Sequence, residues 1–267
     1  MKKTRLLWTL FACLATTSWA QTRPVTTPPA EPSPSRWSLG VGGVATDSPY
    51  AGEGLKFTPF PLVNYEGERL FWRTTKAGVH FLKRENLEIS ALVSYRLDGF
   101  DIDDLGSSEL RRNGLNPALL EDRDNGVDAG LAAQWRGRAG ELELELLTDV
   151  SGKSDGQTIS VQYGYPYQWG KTRLTPTIGA TWQSKDMANY YYGILDDEVR
   201  RGVADYRPGS VFLPRIGLSV VRPLAGKWAV FGTVQYTMLP SKIKDSPLVD
   251  QDSDGIASVM LGVSRRF

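Results

Sequence analysis

Between Leu87 and Phe267, apolar and polar residues alternate in segments of about ten, the length and period of a membrane-crossing β-strand. Leu87, Ile89, Ala91, Val93 and Tyr95 interleave with Glu88, Ser90, Ser94 and Arg96, and Val127, Ala129, Leu131, Ala133 and Trp135 with Asp128, Gln134 and Arg136. Successive side chains of a strand point to opposite faces, so each segment offers one face to hydrocarbon and one to water. Twelve strands are predicted, at 36–46, 56–65, 68–73, 77–83, 86–98, 126–136, 141–150, 157–169, 172–184, 211–222, 227–239 and 256–267, with ten as the alternative count. A bacterial barrel with both ends in the periplasm needs an even number, so residues 68–83 must break into a hairpin near Thr74 to Lys76. The expected fold is all-β: a closed antiparallel transmembrane β-barrel with periplasmic termini.

The connections at Gly137–Gly140, Gly170–Lys171 and Ala225–Lys227 are tight, whereas 99–125, 185–210 and 240–255 are long and polar. Short periplasmic turns and long outer loops are the asymmetry of such barrels. Tyr163, Tyr165, Tyr167 and Trp169 share a strand face, and Trp37, Trp135, Trp182 and Trp228 stand near strand ends, where interfacial aromatic girdles form. The run Glu141 to Leu146 contains two strong helix formers, but its period of two makes it a strand. The predicted lumen charges are Glu88, Arg96, Asp128, Arg136, Glu141, Glu143, Glu145, Arg173 and Arg215. They form either a neutralised interior that holds the wall closed or a narrow charged conduit; unpaired inward carboxylates are costly, which favours the former.

The N-terminus adds an address. Lys2, Lys3 and Arg5 precede an apolar run from Leu6 to Ala15 and a small-x-small site, Ser18-Trp19-Ala20. This pattern predicts a signal peptide, residues 1–20, cleaved after Ala20 for export to the outer membrane of a Gram-negative bacterium. Residues 21–36 carry five prolines and read as an extended periplasmic tail, leaving the barrel at 37–267. The single cysteine, Cys13, falls in the leader, so the mature chain offers no thiolate or disulfide. Loss of the leader leaves 28 basic side chains against 30 acidic ones, a formal charge of −2, and no basic field for nucleic acid. Mean hydropathy is −0.29. Barrels hide their lipid-facing half among polar neighbours, so this value does not count against a membrane protein.

Candidate chemistry is sparse. Asp250 to Gly255 matches the opening of a calcium loop, but the twelfth position is Leu261 where a bidentate Glu is needed. A loose divalent contact there, shared with lipopolysaccharide phosphates, is the remaining metal idea. His80 is the only histidine and shares a predicted face with Gly78 and Leu82. No nucleophile signature accompanies it, so a structural role is expected, with no catalytic, cofactor or metal residues.

Ordered segments across the mature chain carry a family likeness: Ser48-Pro49-Tyr50-Ala51-Gly52, Pro59 to Tyr65, Leu147 to Gly152, Leu174-Thr175-Pro176, Trp182, Asn189 to Gly193, Tyr206 to Gly209, Ile243 to Val249, and Leu261 to Phe267. Together they resemble the MipA/OmpV family of outer-membrane proteins. The terminal strand also resembles the signal read by the barrel-assembly machinery, with Phe267 last and Gly262 five residues earlier. Arg265 departs from that signal, where an aromatic or apolar residue is usual. The family resemblance implies a non-enzymatic scaffold that brings murein synthases and a lytic transglycosylase together in peptidoglycan assembly. The expected partners are outer-membrane lipid and lipopolysaccharide, the assembly machinery, and murein hydrolase and synthase. Two other functions compete: a narrow channel for small polar solutes, and a surface adhesin using Tyr190, Tyr191 and Tyr192 in an outer loop.

Overall fold

The computed structural model describes residues 36–267, so the expected leader and nearly all of the Pro-rich tail lie outside the described residues. The strands in chain order are β1 (Trp37–Asp47), β2 (Leu55–Glu66), β3 (Leu70–Arg73), β4 (Lys76–Lys83), β5 (Leu87–Arg96), β6 (Gly126–Gly137) and β7 (Gly140–Asp149). They continue as β8 (Gln157–Gly164), β9 (Tyr167–Trp169), β10 (Thr172–Gln183), β11 (Val211–Pro223), β12 (Trp228–Met238) and β13 (Gly255–Arg266). Each pairs antiparallel with its neighbours, β1 pairs with β13, and β10 pairs with both β8 and β11, so the sheet closes on itself. Segments β8 and β9 lie successively along β10 and form one stave. Between them is Tyr165-Pro166, where Pro166 has no N–H for the ladder. The barrel therefore has twelve staves, with the 68–83 segment folded as the β3–β4 hairpin.

Alternation sets the faces. Phe57, Phe81, Ile178 and Leu261 stand more than half exposed on the outer surface, while Lys56, Ser90, Gln162 and Ser258 are buried toward the axis. This inverted arrangement requires hydrocarbon outside. Inside, Val44, Leu62, Val221, Phe231 and Met260 pack into an apolar plug on the side of β1, β2 and β11–β13. Gly262 makes room for that plug, because a Cβ there would sit 2.3 Å from the Phe231 ring. At the end of β13, the Phe267 N–H meets the Trp37 carbonyl at 3.2 Å. Arg265 lies 5.9 Å from the centre of the Trp228 ring and 5.2 Å from that of Phe267, so a cation over aromatic faces occupies the position where an aromatic was expected.

The outer loops differ from solvated polar connections. They contain α1 (Ser107–Arg112), α2 (Lys185–Tyr192), α3 (Asp196–Arg200) and α4 (Ser241–Lys244) and fold into one apolar cap. Its core gathers Tyr50 and Ala51 from the β1–β2 loop, Leu105, Leu110, Leu115 and Leu120 from the second, Met187, Tyr191, Tyr192 and Ile194 from the third, and Ile243, Leu248 and Val249 from the fourth. Ser184 caps α2 by accepting from the Met187 N–H.

Two local readings need correction. Leu82 does not share the face of His80, because the register shifts between them: His80 pairs with Ser90, and Leu82 with Ile89. A β-bulge at Phe81 supplies the extra residue. Strand β5 also stops at Arg96, two residues early, where Asp98, Gly99 and Phe100 turn into the cap and Phe100 bridges to Arg123.

Candidate functional site: a charged lumen under a folded cap

Inward side chains of β4 to β8, β10 and β11 line a polar cavity of about 110 Å³ that includes Lys76, Arg96, Asp128, Glu143, Glu145 and Arg215. Its charges are held mostly by one another. Lys76 Nζ lies 3.1 Å from Glu145, and Arg96 lies 2.9 Å from Asp128 and 3.5 Å from Asp149. Arg215 donates to Gln162 at 3.2 Å and to Thr181 at 2.5 Å. Nearer the periplasm, Arg173 meets Glu141 and Arg136 donates to Gln134. Glu88 accepts from Arg73 at 3.0 Å. Pairs of this kind offset the cost of removing each charge from bulk water, and most of them reach past the adjacent strand, as Lys76 of β4 does to Glu145 of β7.

Arg73, Lys76 and Glu66 belong to this network although the sequence did not single them out. Lys76 fell in the expected turn, and its partner Glu145 is 69 residues away, so only the register of β4 to β7 brings them together. The alternation of Lys76, Gly78 and His80 opposite Ser94, Leu92 and Ser90 was the available signal.

His80 forms a second cluster. Its ring nitrogens lie 2.8 Å from Ser90 Oγ and 3.1 Å from Glu66 Oε1, and Phe71 stacks on the ring at 4.8 Å between centres. Among the described residues, Glu66, His80 and Glu88 form the only group of three potential metal ligands, with ligand atoms within 4.8 Å of one another. Arg73 and Lys83 already occupy these carboxylates, so a divalent ion would have to displace two cations. The serine–histidine–acid order resembles a nucleophilic relay, but Ser90 and His80 are both buried in the barrel wall. The cluster fixes β2, β4 and β5 to one another. The Asp250 loop does not converge on a point: Asp250 accepts from the Asp252 N–H, and Asp254 pairs with Lys244 at 2.9 Å.

Above the lumen, a buried clasp locks the cap. Arg123 and Glu198 have no exposed side-chain surface and meet through two parallel bonds of 2.9 Å. Arg123 also donates to the carbonyls of Tyr190 and Gly193, while Glu198 accepts from the N–H groups of Glu121 and Leu195. The network is satisfied on both sides, which a buried ion pair requires. Tyr191 and Tyr192 are buried in this core rather than presented to a host surface; only Tyr190 is half-buried. Their apolar neighbours are scattered over four loops, so the sequence shows the tyrosines as a loop motif and not as core. Burial, reinforced by the nearby Asp98 carboxylate, pushes the Tyr191 hydroxyl well above its ordinary value.

Comparisons with known proteins give this barrel relatives. The family model described as MltA-interacting protein MipA matches residues 39–267. The MltA-interacting protein of Escherichia coli (strain K12) is 30% identical over 233 residues, covering 87% of this chain and 90% of that protein. Outer membrane protein OmpV of Vibrio cholerae is 31% identical over 131 residues, covering 49% of this chain and 51% of OmpV. Among solved structures, the NanC porin aligns with a TM-score of 0.49 at 7% identity, covering 86% of this chain and all of that one. With its matched segment running from β1 to the last residue, this outer-membrane barrel belongs to the MltA-interacting protein MipA family.

Proposed function

We propose that the barrel is a non-enzymatic scaffold that gathers murein-cleaving and murein-building enzymes at the periplasmic face of the outer membrane. The observation that carries this reading is the capped outer mouth: four loops share one apolar core over a lumen narrowed by ion pairs and an apolar plug. What stays accessible is the periplasmic rim. Its turns and strand ends expose Arg69, Arg84, Arg138, Lys171, Arg222 and Lys227 against Glu68 and Glu85. Such a rim attracts an acidic protein surface and makes association salt-dependent. The name of the Escherichia coli relative, an MltA-interacting protein, supports a murein-related partner for this chain.

The test is crosslinking in intact envelopes, followed by identification of the attached proteins. A lytic transglycosylase is expected among them. Recovery should fall about tenfold when Arg138, Lys171 and Arg222 are changed together to Glu, a change of roughly 1.4 kcal/mol. Envelopes in which no murein enzyme is attached, or in which the triple variant recovers the same set, would refute the scaffold.

A further inference from the structure

The barrel wall is incomplete on one side. Strand β2 pairs with β1 from Leu55 to Tyr65, but its other edge meets β3 only at Asn64–Glu66. One further bond runs from the Thr74 N–H to the Val63 carbonyl. There β3 has ended, and Thr74 (φ 52°) and Thr75 turn the chain into β4, whose first residue pairs with Ser94 of β5. Beyond this hairpin tip, among the described residues, no strand pairs with the outer edge of Phe57–Leu62. Two strands separate β2 from β5 at the tip, so three spacings of about 4.8 Å leave the two backbones about 14 Å apart above it. The opening is closed overhead where Asp104 bonds Lys56 at 3.1 Å and the Gly106 N–H bonds the Ala51 carbonyl at 2.9 Å.

The chemistry of the bare edge is selective. In an antiparallel strand the N–H and C=O of one residue point to the same side, and alternate residues share that side. The Val63 carbonyl points to the opening, so Phe57, Pro59 and Pro61 do too. Prolines have no N–H, which leaves one bare donor, that of Phe57, where a full edge would carry three. This lowers the cost of an open edge in hydrocarbon and denies an incoming strand its ladder. Strand addition is therefore disfavoured. The polar cavity reaches the opening at Thr75, Lys76, Tyr95 and Arg96 and holds both charge signs, with Asp98 and Asp128 beside the two cations. The side chains of Phe57, Pro59 and Pro61 face outward toward lipid.

We propose that this window admits, sideways from the membrane, the headgroup of a phospholipid of the phosphatidylethanolamine class. The phosphate is placed toward Lys76 and Arg96, which it shares with Glu145 and Asp128, and the ammonium toward Asp98 and Asp128, while the acyl chains stay in hydrocarbon against Phe57 and Pro59. The test uses the full folded chain in phosphatidylglycerol vesicles doped with phosphatidylethanolamine that bears a photoreactive headgroup, with labelled residues mapped by mass spectrometry. The proposal expects labels on the inward-facing Ser94 and Asp98 and on Thr75, reduced about tenfold in Thr75→Trp but unchanged in Ile216→Trp on the far outer wall. Labels spread evenly over outward residues, or labelling of Ser94 that Thr75→Trp leaves intact, would overturn it. Should Thr75→Trp fail to fold, the label map of the unaltered chain decides alone: absence of label at Ser94 and Asp98 refutes the window.

Discussion

Replacing Arg123 by Met tests whether the outer loops are a folded cap or a set of independent connections. The substitution keeps the side chain's bulk but leaves the Glu198 carboxylate buried with two backbone donors, and it strips the carbonyls of Tyr190 and Gly193 of theirs. Breaking a fully buried pair by removing one partner costs about 3–5 kcal/mol. At about 1.4 kcal/mol per factor of ten, the cap should open between roughly a hundredfold and a few thousandfold more often. Hydrogen exchange reads this directly at the N–H of Ile194, bonded to the Tyr206 carbonyl, and of Val203, bonded to the Glu198 carbonyl. The paired change Arg123→Met with Glu198→Met removes both charges and should recover much of the loss, because apolar groups of similar volume satisfy a buried site. Exchange within about twofold of the parent in the single variant, a loss under 0.5 kcal/mol, would refute the clasp. So would a double variant that exchanges faster than the single one.

Two further outcomes follow from the lumen and the cap. Lys76→Met strands Glu145 beside Glu143 in the wall, so the urea midpoint of the refolded barrel should fall by the equivalent of about 3–5 kcal/mol, and Glu145→Gln in the same chain should restore part of it. The Tyr191 hydroxyl is held above its ordinary value of 10.0, first by burial and then by Asp98. Its neutral form is therefore favoured by the fold: the stabilisation is complete below that ordinary value and is lost as pH rises through the raised one. In an alkaline titration followed by phenolate absorbance, a Tyr191→Phe variant should lose a late-titrating group; loss of an early one would contradict the burial.

How much of this structure the sequence carried depends on the range of the interaction. Strand identity rests on neighbours two residues apart, so the alternation in β5, β6 and β7 was readable, and parity then demanded the turn at Thr74. Inward placement follows from the same alternation, which is why Glu143 and Arg215 were nameable from sequence. Pairing partners are another matter: Lys76 finds Glu145 only through the stagger of four strands, a property of closure and not of any segment. The bulge at Phe81 reversed the reading of Leu82 because one inserted residue flips the side-chain alternation. The cap was missed because Leu105, Leu110, Leu115 and Leu120 recur every five residues, matching neither a strand nor a helix. The bare edge of β2 was missed as well: Pro59 and Pro61 were read only as part of the family likeness, although two prolines inside a strand mark an edge.

A barrel narrowed within by ion pairs and an apolar plug and capped above carries no continuous path from mouth to mouth, and single-channel recording of the refolded chain in planar bilayers tests this most directly. The expected trace is silent at all holding potentials, with openings appearing only when the cap is released by Arg123→Met and the Lys76–Glu145 pair is removed in the same chain. Stable, uniform open steps from the unaltered protein would contradict it.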